Sequence, residues 1–140
     1  MIDVEVEVYD RAARAVLAAF PGAYTSSEKE PAPPSFPAVS ITEIGNVEAS
    51  ELHDSSNREL GSYVTYEVEC FSNRRSGAKA EAKALAQAAD AAMRGMGFER
   101  TFGQFVQNVT DTAIYRYITR YTAVVGATRN DGSASVYRRQ

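Results

Sequence analysis

The chain has 140 residues, of which 44% are hydrophobic, and it carries a formal net charge of -3. This length and composition predict one compact domain with a real core, and they exclude a disordered chain or two full-sized domains. No apolar run approaches the length of a membrane span, and the acidic N-terminus MIDVEVEVYD does not indicate export. A lone cysteine, Cys70, permits neither an internal disulfide nor a multi-cysteine metal site.

Charge is distributed unevenly along the chain. Residues 1–70 hold 13 acidic and 4 basic side chains, whereas residues 71–140 hold 5 acidic and 11 basic ones. If the folded subunit keeps opposite poles, it suits head-to-tail contacts between copies, which can close into a ring. The alternative is that the two signs of charge intermix once the chain folds.

The first predicted element is a helix from about residue 3 to residue 20, followed by an extended connector. Pro21-Gly22 ends the helix, and the proline-rich residues 25–37, TSSEKEPAPPSFP, are too stiff and polar to continue it. The apolar residues that recur at helical spacing are Val4, Val8, Ala12, Val16 and Ala19.

Two strands are predicted next, over residues 36–44 and 61–72. We expect them to form an antiparallel hairpin with a long, polar, acidic loop, residues 45–60, projecting from its tip. The second strand alternates cleanly, with Val64, Tyr66, Val68 and Cys70 on one face and Thr65, Glu67 and Glu69 on the other.

An alanine-rich helix over residues 76–96 and a second hairpin complete the predicted domain. Ser76 is a plausible N-cap of this helix, and Gly95 and Gly97 supply its C-terminal stop. Its apolar stripe is Ala82, Leu85, Ala86, Ala89, Ala92, Met93 and Met96. The hairpin pairs strand 98–107 with strand 112–125.

The last strand, TAIYRYITRYTAVV over residues 112–125, has no plain solvent face. Tyr115, Tyr117, Thr119, Tyr121 and Ala123 share one face, whereas Ile114, Arg116, Ile118, Arg120 and Val124 share the other. Because tyrosine and arginine are favoured at protein contacts, this strand suggests a subunit of an assembly whose second face needs a cover. Ordinary exposed tyrosines on a sheet are the alternative.

The predicted order is helix, strand, strand, helix, strand, strand. It indicates a single α+β domain over residues 1–126, with a mainly antiparallel four-stranded sheet and two helices packed on one face. Residues 127–140 are predicted to be a flexible C-terminal arm. Val136, Tyr137 and Arg138 in this arm could dock on a neighbouring copy.

Little in the sequence resembles an active site. His53 lies beside Asp54 without a framed nucleophile, and Cys70 falls on the apolar face of its strand. No calcium-loop spacing, dinucleotide fingerprint or phosphate-binding loop is present. We therefore expect no enzyme, metal or cofactor. An enzyme that uses His53 or Cys70, and a stand-alone ligand-binding domain, remain the alternatives.

Several segments together carry a family resemblance over residues 3–126. They are AAFPG at 18–22, the strand at 36–44, YVTYEVECFSN at 63–73 before the alanine-rich helix, Gly97-Phe98, and the closing strand IYRYITRYTAVV. This pattern resembles the tail terminator, or tail-completion, proteins of tailed bacteriophages. A related head-closure or minor capsid protein of the neck is the alternative.

The resemblance implies a structural virion protein without catalytic residues. It implies a six-membered ring that caps the tail tube and offers a docking surface to the head. The implied partners are copies of the chain itself, the tail tube protein and head-completion or connector proteins. DNA would pass through the lumen without specific binding, and no membrane is involved. The implied location is the tail or neck of the virion, after assembly in the cytoplasm of the bacterial host.

Specific residues are expected to contribute to such a ring. The proposed subunit interface comprises Tyr115, Arg116, Tyr117, Arg120 and Tyr121. The acidic side chains Glu48, Glu51 and Asp54 would face the tube or the lumen, where they would repel DNA phosphates at short range. An Arg116→Glu/Arg120→Glu change is expected to stop ring formation without unfolding the subunit.

Overall fold

The computed structural model describes residues 1–49, 61–108, 111–127 and 134–136 of the chain. Its elements are α1 (Glu5–Ala19), β1 (Tyr24–Ser26), β2 (Ala38–Glu48), β3 (Gly61–Ser72), α2 (Ala78–Gly95), β4 (Glu99–Gln107), β5 (Tyr115–Ala127) and β6 (Ala134–Val136). Neither helix in these ranges has the length and apolar character that a membrane crossing requires.

The strands form one mixed sheet in the order β1-β2-β3-β5-β4, and β6 also pairs with β5. β1 and β2 are parallel, whereas the other pairs are antiparallel. β3 occupies one edge of β5 from the Ser72–Tyr115 pair to the Gly61–Gly126 pair. β4 and β6 must therefore share the other edge of β5. Among the described strands, β1 and β4 end the main path of the sheet.

The predicted sheet of four mainly antiparallel strands is wrong. The sheet contains a parallel β1–β2 pair and five strands in its main path, so it is mixed. β1 escapes sequence analysis because three residues cannot show an alternating pattern. The proline-rich connector, predicted only as a spacer, is the crossover that a parallel pair needs. α2 also begins differently, because Gly77, with φ of 80°, precedes it in place of the predicted Ser76 cap.

Both helices pack on the same face of the sheet. Most of the predicted stripes are confirmed, since Val8 and Val16 of α1 and Leu85 and Met93 of α2 are fully buried. Ala19 is exposed at the end of α1, so the α1 stripe is shorter than predicted. The sheet residues of this core are Val39, Ile41, Val64, Tyr66, Val68, Cys70, Tyr121, Ala123 and Val125. α1 lies over β2, and α2 lies over β3 and β5. β4 lies beyond this helical layer, and seven of its nine residues are therefore exposed.

Candidate functional site: the charged face and the β4 edge of the sheet

The sheet face opposite the helices carries a ladder of paired charges. Arg120 Nε donates to Glu67 Oε2 at 2.8 Å, and Arg116 Nε donates to Glu69 Oε2 at 2.8 Å. Lys29 Nζ lies 3.3 Å from Glu67 Oε1 and 3.5 Å from Glu69 Oε1. Both carboxylates are buried, so these cations replace the water that would otherwise solvate the negative charges.

Residues 27–37 of the connector contribute to the cover of this ladder. Lys29 belongs to the connector, Pro33 within it is buried, and Ser40 Oγ donates to the Glu28 carbonyl oxygen at 2.7 Å. The helices pack on one face of β2, and these bonds hold the connector to the other face. The second face of the sheet, which the sequence predicts to need a cover, thus obtains part of that cover from its own subunit.

The electrostatics of Glu67 follow from these contacts. Burial alone would raise the pKa of this carboxyl group, but the hydrogen bonds that Arg120 and Lys29 donate outweigh burial and lower the pKa below its ordinary value. Glu67 is therefore ionised at neutral pH and its charge is compensated inside the subunit. The ladder stabilises the fold and holds the connector in place.

The predicted interface residues of β5 differ in accessibility. Tyr121 has no exposed surface, its hydroxyl donates to Asp90 Oδ1 at 2.8 Å, and burial raises its pKa. Arg116 and Arg120 bond to the buried ladder, so the double charge reversal would disturb folding as well as any contact between subunits. Tyr115 and Tyr117 are half-buried beside β4 and lie on the opposite face from the arginines.

β4 is an outer strand with aromatic side chains on both faces. On the helix side, the Phe105 ring lies 5.0 Å from the Tyr115 ring. On the other face, the Arg120 guanidinium lies 4.8 Å from the centre of the Phe102 ring. No described strand pairs with the outer edge of β4. An outer strand of nine residues with unpaired backbone groups and exposed aromatic surface is typical of a protein contact.

A groove of about 260 Å³ lies between α2 and β4 and has β5 as its floor. The Arg100 guanidinium pairs with Asp90 Oδ1 at 2.8 Å, and Lys83 Nζ lies 5.8 Å from the centre of the Tyr117 ring. Gln87 and Thr119 also line the groove. Its walls combine charged groups with the apolar faces of aromatic rings, and this mixture suits another protein surface better than an apolar ligand.

The structure places the other predicted residues away from β4 or does not describe them. Residues outside the described ranges are Glu51, His53, Asp54, Tyr137 and Arg138. Glu48 is exposed at the end of β2, which extends four residues into the predicted loop, and the Val136 backbone pairs with Val125. Cys70 is buried, which raises the pKa of its thiol. In the described part of the chain, no cluster of His, Cys, Asp or Glu could hold a metal ion.

Sequence analysis did not identify β4 or the groove as exposed features. One signal was available, since ERTFGQFVQ places polar and aromatic residues in both of its alternating sets. A half-buried strand would have confined its apolar residues to one set. The groove itself has no sequence signal, because it depends on where α2 lies relative to β4.

Comparison with known proteins identifies a matching family. A family model described as "Tail completion protein gp17" matches residues 8–126. The match begins in α1 and ends in β5, so it includes both helices and the five strands of the main path of the sheet. No curated protein matches the chain significantly.

Proposed function

Because the chain belongs to the tail completion protein gp17 family of phage tail proteins, we propose that six copies form a ring that caps the tail tube and joins the tail to the head. Family membership confirms the resemblance found in the sequence, and it makes the protein a structural component of the virion tail. A structural protein of this kind acts through its surfaces. The exposed surfaces of the subunit are therefore the basis of the proposal.

The observation that carries the ring is the position of β4. This strand is exposed on both faces at one edge of the sheet, whereas the opposite edge ends in the short β1 with α1 beside it. Two different surfaces at opposite edges suit heterologous contacts, in which each copy binds the next one through unlike surfaces. Contacts of this type close into rings when the rotation between copies permits.

The charge distribution supports two different neighbours for the ring. Asp3 and Glu5 lie at the start of α1, close to the end of β2, because Asn46 Nδ2 donates to the Ile2 carbonyl oxygen at 2.7 Å. Arg74, Arg75 and Lys79 lie around the start of α2, next to the end of β3. Because β2 and β3 are antiparallel, the end of β2 and the end of β3 lie at opposite ends of the subunit, so these two acids are separated from these three basic residues along the strands. A protein between a tail tube and a head requires two such distinct ends.

Solution mass and imaging test the ring. Light scattering of the purified protein should give the mass of six chains, and electron microscopy should show a ring with a central hole. Addition of the tail tube protein should place the ring at the tube end, whereas a head-closure protein would bind the head connector instead. A protein that stays monomeric alone and with both of these partners would contradict the proposal.

The acidic segment of residues 45–60 is proposed to face the tube or the lumen. Three of its carboxylates, Glu48, Glu51 and Asp54, would repel the phosphates of passing DNA and so prevent specific binding. The triple change Glu48→Gln/Glu51→Gln/Asp54→Asn should preserve folding and ring formation while it alters tail joining or DNA passage. Normal joining and normal DNA ejection by virions with this variant would exclude the role. The ring is proposed to assemble in the host cytoplasm and to remain in the neck of the virion.

A further inference from the structure

One flank of α1 is exposed and faces away from α2. Val6 is 74% exposed and Leu17 is 37% exposed, although both are large apolar residues. Together with Asp10 they form a stripe with spacings of four and seven residues, which we call the outer stripe. Val8, which is fully buried, lies on the other flank of the helix. The Tyr9 hydroxyl, next to Asp10 in the chain, lies 2.9 Å from Thr25 Oγ1 of β1, so the outer stripe is at the β1 side of the subunit.

The helical layer is narrower than the sheet that it covers. α1 and α2 are placed over β2, β3 and β5, so the uncovered width lies over β4. The groove between α2 and β4 occupies this position.

We propose that α1 of a second copy packs beside α2 in this groove, so that its outer stripe completes the helical layer over β4. The inference rests on the proposed ring and names its interface. The outer stripe and the groove lie at opposite edges of one subunit, as heterologous contacts require. Neither surface can reach the other within a single subunit, so an outer stripe that lies in the groove must belong to another copy.

The chemistry of the two surfaces is complementary. The exposed apolar carbons of Val6 and Leu17 match the apolar surfaces of Tyr117 and Ala86 in the groove. Among the described residues, Lys83 contacts the Tyr117 ring and forms no ion pair. Asp10 on the outer stripe supplies the opposite charge for Lys83. Apolar contact with one charged pair at the rim is the usual composition of such an interface.

Cysteine cross-linking tests the contact directly. Cys70 is buried and its thiol pKa is raised, so it should not react in the folded protein. Gln87→Cys protein is mixed in turn with Val6→Cys, Asp10→Cys or Leu17→Cys protein and oxidised gently. We expect a disulfide-linked dimer with at least one position of the outer stripe. Val47→Cys protein is the matched control, because Val47 is exposed on the opposite face of the sheet and should not cross-link to Gln87→Cys.

A substitution in the groove supplies the second measurement. A Cβ atom at Gly103 would lie 3.5 Å from the Tyr117 hydroxyl, an ordinary contact, so Gly103→Ala should fold and assemble normally. Gly103→Trp should fill the groove and abolish the oligomer at concentrations where Gly103→Ala forms it. Circular dichroism and thermal unfolding of the two variants establish whether the tryptophan variant folds. If it does not fold, cross-linking alone tests whether the outer stripe lies in the groove.

The outcomes separate the interface from the ring. Rings that form normally in Gly103→Trp protein, without any cross-link from the outer stripe, would overturn this interface and leave the ring proposal intact. A Gln87–Gln87 cross-link without any link to α1 would show that two grooves meet, which also overturns it. A parent protein that stays monomeric alone and with both partners, together with no cross-link between Gln87→Cys and any outer-stripe variant, would overturn both proposals.

Discussion

Replacement of Arg116 with methionine should destabilise the folded subunit by about 2–4 kcal/mol. The Arg116 Nε atom lies 2.8 Å from Glu69 Oε2, and the Glu69 side chain is only 5% exposed. Methionine keeps much of the side-chain length but removes the charge, so a buried carboxylate loses its nearest cation. The free energy of unfolding should therefore fall, because an unpaired buried charge is costly.

The expected magnitude follows from the surroundings of the pair. Removal of one partner from a fully buried ion pair costs about 3–5 kcal/mol. Arg116 is 24% exposed, so solvent already weakens the interaction. Lys29 Nζ remains 3.5 Å from Glu69 Oε1 after the change and compensates part of the charge. Both effects reduce the expected loss of unfolding free energy from that range to about 2–4 kcal/mol.

Urea denaturation of the monomer at low protein concentration measures the effect. Arg75→Met is the matched control, because Arg75 is exposed and should change the free energy of unfolding by less than about 0.5 kcal/mol. The double variant Arg116→Met/Glu69→Met should recover most of the loss, since it removes both charges. Unchanged stability of Arg116→Met, combined with a lost oligomer, would refute this reasoning and assign Arg116 to contacts between subunits.

Burial raises the pKa of Glu43, which accepts a hydrogen bond from the Tyr66 hydroxyl at 3.1 Å. A raised pKa in the folded state gives stability that is complete below the unfolded pKa of about 4 and declines as pH rises through the folded pKa. Glu43→Gln keeps the acceptor without the charge, so it should unfold at a higher temperature than the parent at pH 7, with the difference vanishing near pH 3. Leu85→Ala should cost about 2–5 kcal/mol in urea denaturation, because Leu85 is fully buried, and a loss below 1 kcal/mol would contradict that packing. A thiol reagent should modify Cys70 rapidly in denaturant but not in the native protein, and rapid native labelling would show that the core opens.

The regular elements of this fold could be predicted because their periodicity is local. The helical spacing of Val8, Ala12 and Val16 reflects their burial in α1, and the alternation of Val64 and Tyr66 reflects one buried face of β3. β1 and β6 could not be predicted, since three residues are too few to show a period. The parallel pairing of β1 depends on contacts between residues that are distant in sequence.

In the candidate site, too, the local pattern could be predicted, but the contacts between distant residues could not. The sequence separates the tyrosines and arginines of β5 onto opposite faces, and the structure confirms this separation through the strand register. The sequence does not reveal that Arg116 and Arg120 have buried partners, because Glu69 and Glu67 lie about 50 residues earlier in the chain. The arginines therefore suggest a contact with another molecule when they are considered alone.

By itself, the sequence determined the two amphipathic helices, the long β2–β3 and β4–β5 pairings and the likeness to tail-completion proteins, because each depends on residue patterns within a continuous segment. Only the tertiary structure decided the mixed sheet, the internal use of the β5 arginines and the exposure of β4 with its groove. These features arise where distant segments meet. Ion pairs between residues that are distant in sequence and the free edge of a sheet are properties of such meetings, and no local pattern encodes them.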